Sequence, residues 1–136
     1  MEKLTFYYSA MNAGKSAQLL QKAHNLESKG FRVKRYTFAM DDRFGSGKIA
    51  SRVGIEAEAE PFAANTNFYD NNDGSCDYLF IDEAQFLTKK QVLELTKLVD
   101  RQNVTIFCYG LRTDFKGEPF EGATYLMAWS DEIHEI

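Results

Sequence analysis

The chain has 136 residues, 44% hydrophobic and 26% charged, with a formal net charge of −4. That length suffices for one domain with its own core, and the composition excludes a disordered or fibrous chain. The acidic balance argues against a nucleic-acid backbone as the main partner, and the absence of a bilayer-length apolar run argues against a membrane one.

The opening MEKLTFYYSAMNAGKS has neither the apolar segment nor the small-residue cleavage site of a signal peptide. The two cysteines, Cys76 and Cys108, are far apart and outside any CxxC pattern. They read as reduced thiols of a cytoplasmic protein, with no structural disulfide and no zinc site expected.

In chain order, LTFYYS (Leu4 to Ser9) is apolar and aromatic, the pattern of a buried strand. From Lys15 the period changes: Leu19, Ala23 and Leu26 fall at helical spacing and Gly30 follows as a stop. RVKRYTFA (Arg32 to Ala39) reads as a second strand, and DDRFGSGK (Asp41 to Lys48) as a polar loop. The stretch from Ile49 to Asp77 has no clear period, and NTNFYDNNDGS within it reads as exposed loop. YLFI (Tyr78 to Ile81) is a short, continuously apolar strand. Thr88 and Gln91 form a capping-box pattern with Leu87 and Val92 as its hydrophobic staple, and Val92, Leu95 and Val99 give the helix its buried stripe. VTIFCYGL (Val104 to Leu111) is a further apolar strand, and another begins within Asp131 to Ile136. Apolar strands alternating with amphipathic helices predict an α/β fold with a mostly parallel sheet flanked by helices. No internal repeat divides it, so residues 1–136 are taken as one domain.

Two motifs carry chemistry. SAMNAGKS (Ser9 to Ser16) lies between the first strand and the first helix. A loop so placed points backbone N–H groups and a helix N-terminus at one spot, which suits a phosphate. Lys15 would reach the β- and γ-phosphates, the Ser16 hydroxyl would hold Mg²⁺, and Gly14 would let the backbone approach an oxygen. Ser9 stands where the usual pattern has glycine, and the competing reading is a helix that merely begins Gly-Lys-Ser. FIDEAQF (Phe80 to Phe86) ends an apolar strand in two carboxylates. Asp82 is placed to support Mg²⁺, and Glu83, its side chain pointing another way, to take a proton from an attacking hydroxyl. The competing reading is a solvated Asp-Glu pair before a helix. The two motifs together, in this order, point to a Mg-nucleotide site on a P-loop fold.

FYYSAMNAGKS, DDRFGSGK, FIDEAQFL and YGLRTDFKGEPFEGATYLMAWSD together resemble the cellular-type (type II) thymidine kinases, particularly bacterial ones. The resemblance runs from Leu4 to the C-terminus and implies a RecA-like P-loop core. It implies transfer of the γ-phosphate of ATP to the 5′-hydroxyl of thymidine, with deoxyuridine a possible acceptor. Ser9, Ala10, Met11, Asn12, Ala13, Gly14, Lys15 and Ser16 would then bind the ATP phosphates, with Asp42, Arg43, Asp82 and Gln85 completing the ATP site. Ser16 and Asp82 would support Mg²⁺, and Glu83 would be the general base. Arg43 resembles an arginine near the transferring phosphate, against the plain reading of a solvated loop arginine. Phe86, Leu111, Phe115 and Phe120 match apolar positions around the thymine ring, where core packing is the competing explanation. Arg52 and Arg112 receive no role. The resemblance further implies feedback inhibition by dTTP and a homo-oligomer, dimer or tetramer.

In the family a smaller domain follows, with a zinc site and a lasso-like loop over the nucleoside. No segment here matches it, and the two cysteines do not match its zinc ligands. The expectation is a complete phosphate side and a half-built nucleoside side, with slow or absent thymidine phosphorylation unless a second chain supplies the lid. Two other readings stay open: an ATP-binding core without catalysis, and a nucleic-acid-stimulated ATPase, since DEAQ superficially resembles the acidic box of helicases.

Overall fold

A computed structural model describes residues 2–9, 14–39, 48–50, 56–72, 74, 76–114 and 116–136. Strands β1 (Leu4–Ser9), β2 (Val33–Phe38), β5 (Glu60–Phe62), β6 (Tyr78–Ile81), β7 (Thr105–Leu111) and β8 (Glu132–Glu135) form one sheet in the order β5-β2-β6-β7-β1-β8. Every pairing in it is parallel. The helices are α1 (Lys15–Ser28), α2 (Lys89–Gln102) and α3 (Glu121–Trp129). A two-stranded antiparallel ribbon, β3 (Lys48–Ala50) with β4 (Glu56–Glu58), stands apart from the main sheet.

Side-chain alternation along the central strands divides the core. Leu4, Phe6, Leu79, Ile81, Ile106 and Cys108 face the side covered by Val92, Leu95 and Leu98 of α2 and by Ala123 and Leu126 of α3. Phe80 and Tyr109, with Tyr7 and Phe107 beside them, face Leu19, Leu20 and Ala23 of α1. Both faces are therefore buried, which is why these strands read as continuous apolar runs. Each fully buried large side chain contributes about 1.5–3 kcal/mol of transfer free energy.

Helix α2 begins as its sequence predicts. The Thr88 hydroxyl accepts from the Gln91 N–H at 3.1 Å, and Gln91 Oε1 accepts from the Thr88 N–H at 3.0 Å. Gln91 also donates through Nε2 to the carbonyls of Ala63 (2.7 Å) and Thr66 (2.9 Å). One turn on, Glu94 accepts from the Phe68 N–H at 2.9 Å. These buried polar groups hold the segment after β5. The described residues of NTNFYDNNDGS form loop as expected, with Asn65, Asp70, Asn71 and Gly74 exposed, and the reading is corrected at one of them. Phe68 is 1% exposed, edge-on to Tyr36 and tilted against Phe62. The polar residues around it hid one core anchor. The short strands β3, β4 and β5 and the helix α3 were also not apparent from periodicity. DDRFGSGK, up to its final Lys48, lies outside the described residues.

Strand β1 leads to α1 on one face, while its paired neighbour β7 leads to α3 on the other. Divergence of this kind opens a crevice at the carboxyl ends of the strands, where α/β sheets place ligands.

Candidate functional site at the carboxyl edge of the sheet

At the end of β1, the Ser9 hydroxyl is buried and has no hydrogen-bond partner among the described residues. Ala10, Met11, Asn12 and Ala13 lie outside them. The chain re-enters at Gly14, whose φ of 80° and ψ of 20° place it in the left-handed region where glycine carries no Cβ penalty. Gly14 precedes the first turn of α1, and no side chain caps that turn. Its N–H groups and positive dipole end suit an anion.

Lys15 and Ser16, in that first turn, meet the carboxylates that follow β6. Lys15 Nζ is 3.2 Å from Asp82 Oδ1 and 2.9 Å from Glu83 Oε1, and the Ser16 hydroxyl is 3.1 Å from Asp82 Oδ2. Asp82 is fixed at the strand end by its N–H bond to the Tyr36 carbonyl (2.9 Å). Burial alone would lower the pKa of the Lys15 ammonium, but the two carboxylates outweigh it and raise it. Burial pushes the Asp82 carboxyl up, beyond the opposing pull of Lys15.

The expectation that Glu83 points away from Asp82 is corrected, since both reach one ammonium. The cause is local. Glu83 has φ 56° and ψ 39°, a left-handed backbone that costs a non-glycine residue on the order of 1 kcal/mol. This turn starts the short 3-10 helix Ala84–Phe86 and brings the carboxylate back toward the loop. Strain of this kind at a strand end is characteristic of functional positions.

Gln85 is buried within that turn. Its Nε2 donates to Glu83 Oε2 at 2.6 Å, and its Oε1 accepts from the Leu111 N–H at 3.2 Å. Phe86 projects from the same turn and stacks on Phe38 of β2, centroids 4.6 Å apart and planes 23° apart. Phe120 meets Phe86 edge-on at 5.5 Å. Of the four residues expected around an apolar ring, Phe86 and Phe120 are thus in contact, and Leu111 is joined to the same turn through Gln85. Phe115 lies outside the described residues, as do Asp42, Arg43 and Arg52. Arg112 is exposed, with its guanidinium carbon 5.4 Å from the centroid of the Tyr8 ring. Sequence reasoning missed Phe38, because an aromatic residue in an alternating strand reads as ordinary core.

Two glycines set the spacing. A Cβ on Gly110 would lie 2.7 Å from Gln85 Oε1, and one on Gly122 would lie 2.5 Å from the Ala84 carbonyl. The strand and α3 therefore press directly on the turn that carries Gln85 and Phe86. An isolated glycine in an apolar strand run was the available signal for such an approach.

Comparison with known proteins agrees with this geometry. The family model described as thymidine kinase matches residues 2–136. A thymidine kinase of Vibrio vulnificus (strain YJ016) is 48% identical over 141 residues, spanning 100% of this chain and 73% of its own. That of Escherichia coli (strain K12) is 47% identical over 141 residues, spanning 100% and 69%. That of Xanthomonas oryzae pv. oryzae (strain MAFF 311018) is 49% identical over 142 residues, spanning 100% and 68%. With its whole described sheet and its two motifs inside the matched region, the chain belongs to the thymidine kinase family.

Proposed function

We propose that this protein transfers the γ-phosphoryl group of ATP to the 5′-hydroxyl of thymidine, as a step of nucleotide salvage. The observation that carries the reading is the convergence of Lys15, Ser16, Asp82 and Glu83 at the carboxyl edge of the sheet. The aromatic wall formed by Phe38, Phe86 and Phe120 lies along the same turn.

Residues 9–16 would bind the phosphates of ATP, with Asp42 and Arg43 completing that side; the Gln85 side chain, expected there, is instead committed to Glu83 and Leu111. The donor set suits Mg²⁺: one hydroxyl and one carboxylate, both hard oxygen ligands, leave most positions to water and phosphate. Among the described residues no group of three or more His, Cys, Asp or Glu gathers as a protein-only cage, which Mg²⁺ does not require. Ser16 and Asp82 would hold the ion, whose chemistry there is to neutralise charge on the phosphate oxygens.

The chain's own groups do the rest. A phosphate at the loop competes with both carboxylates for the Lys15 ammonium, which has three donors to share. As Lys15 turns to the phosphate, Glu83 Oε1 is released to accept the 5′-hydroxyl proton. The hydroxyl oxygen bonds to the γ-phosphorus while the bond to the β–γ bridging oxygen breaks and ADP leaves. Arg43 would add positive charge near the transferred group. Phe86, Phe120, Leu111 and Phe115 would hold the thymine ring and align the hydroxyl.

Homo-oligomerisation, inhibition by dTTP and acceptance of deoxyuridine belong to the same proposal, supported by the resemblance of the motifs to the family. A cytoplasmic location is proposed from the reduced thiols. No helix among the described residues is long and apolar enough to cross a membrane.

The experiment that tests this reading offers ATP–Mg with thymidine, 3′-deoxythymidine or 5′-deoxythymidine and identifies products by mass. Monophosphates should form from the first two, while the third should inhibit without being phosphorylated. Phosphorylation of 5′-deoxythymidine at its remaining hydroxyl would overturn the assignment.

A further inference from the structure

We propose that Gln85 is the positioning residue of the phosphoryl transfer: its carboxamide holds the Glu83 carboxylate in place and ties it to the β7 end where the acceptor binds. The inference rests on the reading of Glu83 as the general base.

Both ends of the Gln85 side chain are engaged, and the assignment of its amide is forced by the partners. Oε1 accepts from a backbone N–H, that of Leu111, so Nε2 must be the end that faces Glu83 Oε2. A flipped amide would set N–H against N–H and oxygen against carboxylate. The Glu83 carboxylate is consequently gripped from two sides, by Lys15 on Oε1 at 2.9 Å and by Gln85 on Oε2 at 2.6 Å. These two partners behave differently when phosphate arrives. Lys15 is shared with the phosphates, whereas Gln85 has no group to exchange for.

The Glu83 side chain is 36% exposed, so packing alone does not hold it. Gln85 is 2% exposed, and its Oε1 occupies the space that a Cβ at Gly110 would enter. A buried amide hydrogen-bonded at both ends is a rigid reference against which a mobile carboxylate is set. Leu111, the other end of the bridge, is among the residues proposed to line the thymine pocket. One side chain thus registers the base to the acceptor side of the site, and it keeps doing so once Lys15 has turned to the phosphate. A misplacement of about 1 Å in such a group costs on the order of 100-fold in rate.

The test compares steady-state transfer to thymidine by wild type, Gln85→Met, Gln85→Glu, Glu83→Gln and Glu83→Gln/Gln85→Met. Methionine keeps the length and volume but makes neither hydrogen bond; glutamate keeps the acceptor for Leu111 but repels Glu83. Both single variants at position 85 should lose roughly 10- to 100-fold in kcat, by the positioning argument, with KM for ATP within about twofold of wild type. In the Glu83→Gln background, Gln85→Met should add no further loss, because the two act as one unit. Wild-type kcat in either position-85 variant would overturn the positioning role while leaving the base assignment standing. So would an equal loss with and without Glu83, or a loss confined to KM for ATP. Full kcat in Glu83→Gln alone would remove the base, and the positioning role with it. A second measurement covers poor folding of either variant. Gly110→Ala presses on the same carboxamide (2.7 Å to Gln85 Oε1) and on the backbone of its turn (2.9 Å to Gln85 N) and should reproduce the kcat loss, and its failure to do so in a folded protein contradicts the proposal.

Discussion

The Lys15 ammonium lies 2.9 Å from Glu83 Oε1, although 68 positions separate the two residues in the chain. Together with the bond to Asp82, this contact closes the helix start after β1 onto the turn after β6. The proposed phosphate side and the proposed base are thereby one electrostatic unit.

A pH signature follows in Lys15→Met. Burial already raises the Asp82 carboxyl pKa, and Lys15 is the group that pulls it down. Without Lys15, the folded state binds the Asp82 proton still more tightly than the unfolded state does. Folding then takes up a proton between the unfolded and folded pKa values, so stability of the variant rises as pH falls through that window. Lys15 itself, with a raised pKa, stays charged throughout in the wild type. The variant should lose on the order of 2–3 kcal/mol at about pH 8, and less at about pH 5. Urea denaturation of both proteins at the two pH values measures this. A deficit that grows on acidification contradicts it.

Gly122→Ala should strike the site through α3. Its Cβ would lie 2.5 Å from the Ala84 carbonyl, 2.8 Å from that of Leu87 and 2.9 Å from that of Gln85. All three are backbone atoms and cannot swing aside. A destabilisation of about 1–3 kcal/mol is expected, together with reduced transfer as the turn shifts. An unchanged denaturation midpoint would show that α3 does not press on this turn.

Phe38→Ala removes the ring stacked on Phe86. Aromatic pairs are worth about 0.5–1.5 kcal/mol beyond their area, so the variant should lose at least that much stability. With the Phe86 ring no longer held, KM for thymidine should rise with KM for ATP unchanged. Equal rises in both constants would mean that Phe38 supports the whole edge of the sheet instead of the acceptor wall.

The thiols should be inert in the folded protein. Cys108 is fully buried, and burial pushes its pKa well above the ordinary thiol range. Cys76 is also buried. A thiol-reactive chromogenic reagent should leave both untouched until denaturant is added. Rapid modification of Cys108 under native conditions would contradict the packing of β7.

Much of this was legible in the sequence because it depends on local pattern. Strand β1 and the Gly14-Lys15-Ser16 helix start, the Thr88–Gln91 capping box and the β6–Asp82–Glu83 junction each have their cause within a few residues of themselves. Helix α3 was not legible: its sequence EGATYLMAW is apolar on several sides, has a glycine near its start and begins at Phe120 without a side-chain cap. Phe68 was hidden because Glu94 and Gln91, on a helix distant in sequence, hold its loop in the core. The direction of the Glu83 side chain is not legible in the sequence, because a left-handed backbone cannot be seen in a residue type that rarely adopts it. The link from Gln85 to Leu111 depends on the pairing of strands and becomes visible only in the fold.

The central claim is tested most directly by transfer of labelled γ-phosphate from ATP–Mg to thymidine, comparing wild type with Glu83→Ala. The account predicts labelled thymidine monophosphate from the wild type, however slowly it forms. It also predicts at least about 100-fold less from the variant, which should still bind ATP–Mg. Equal product from both proteins, or ATP–Mg bound by the wild type with no label reaching thymidine, would contradict it.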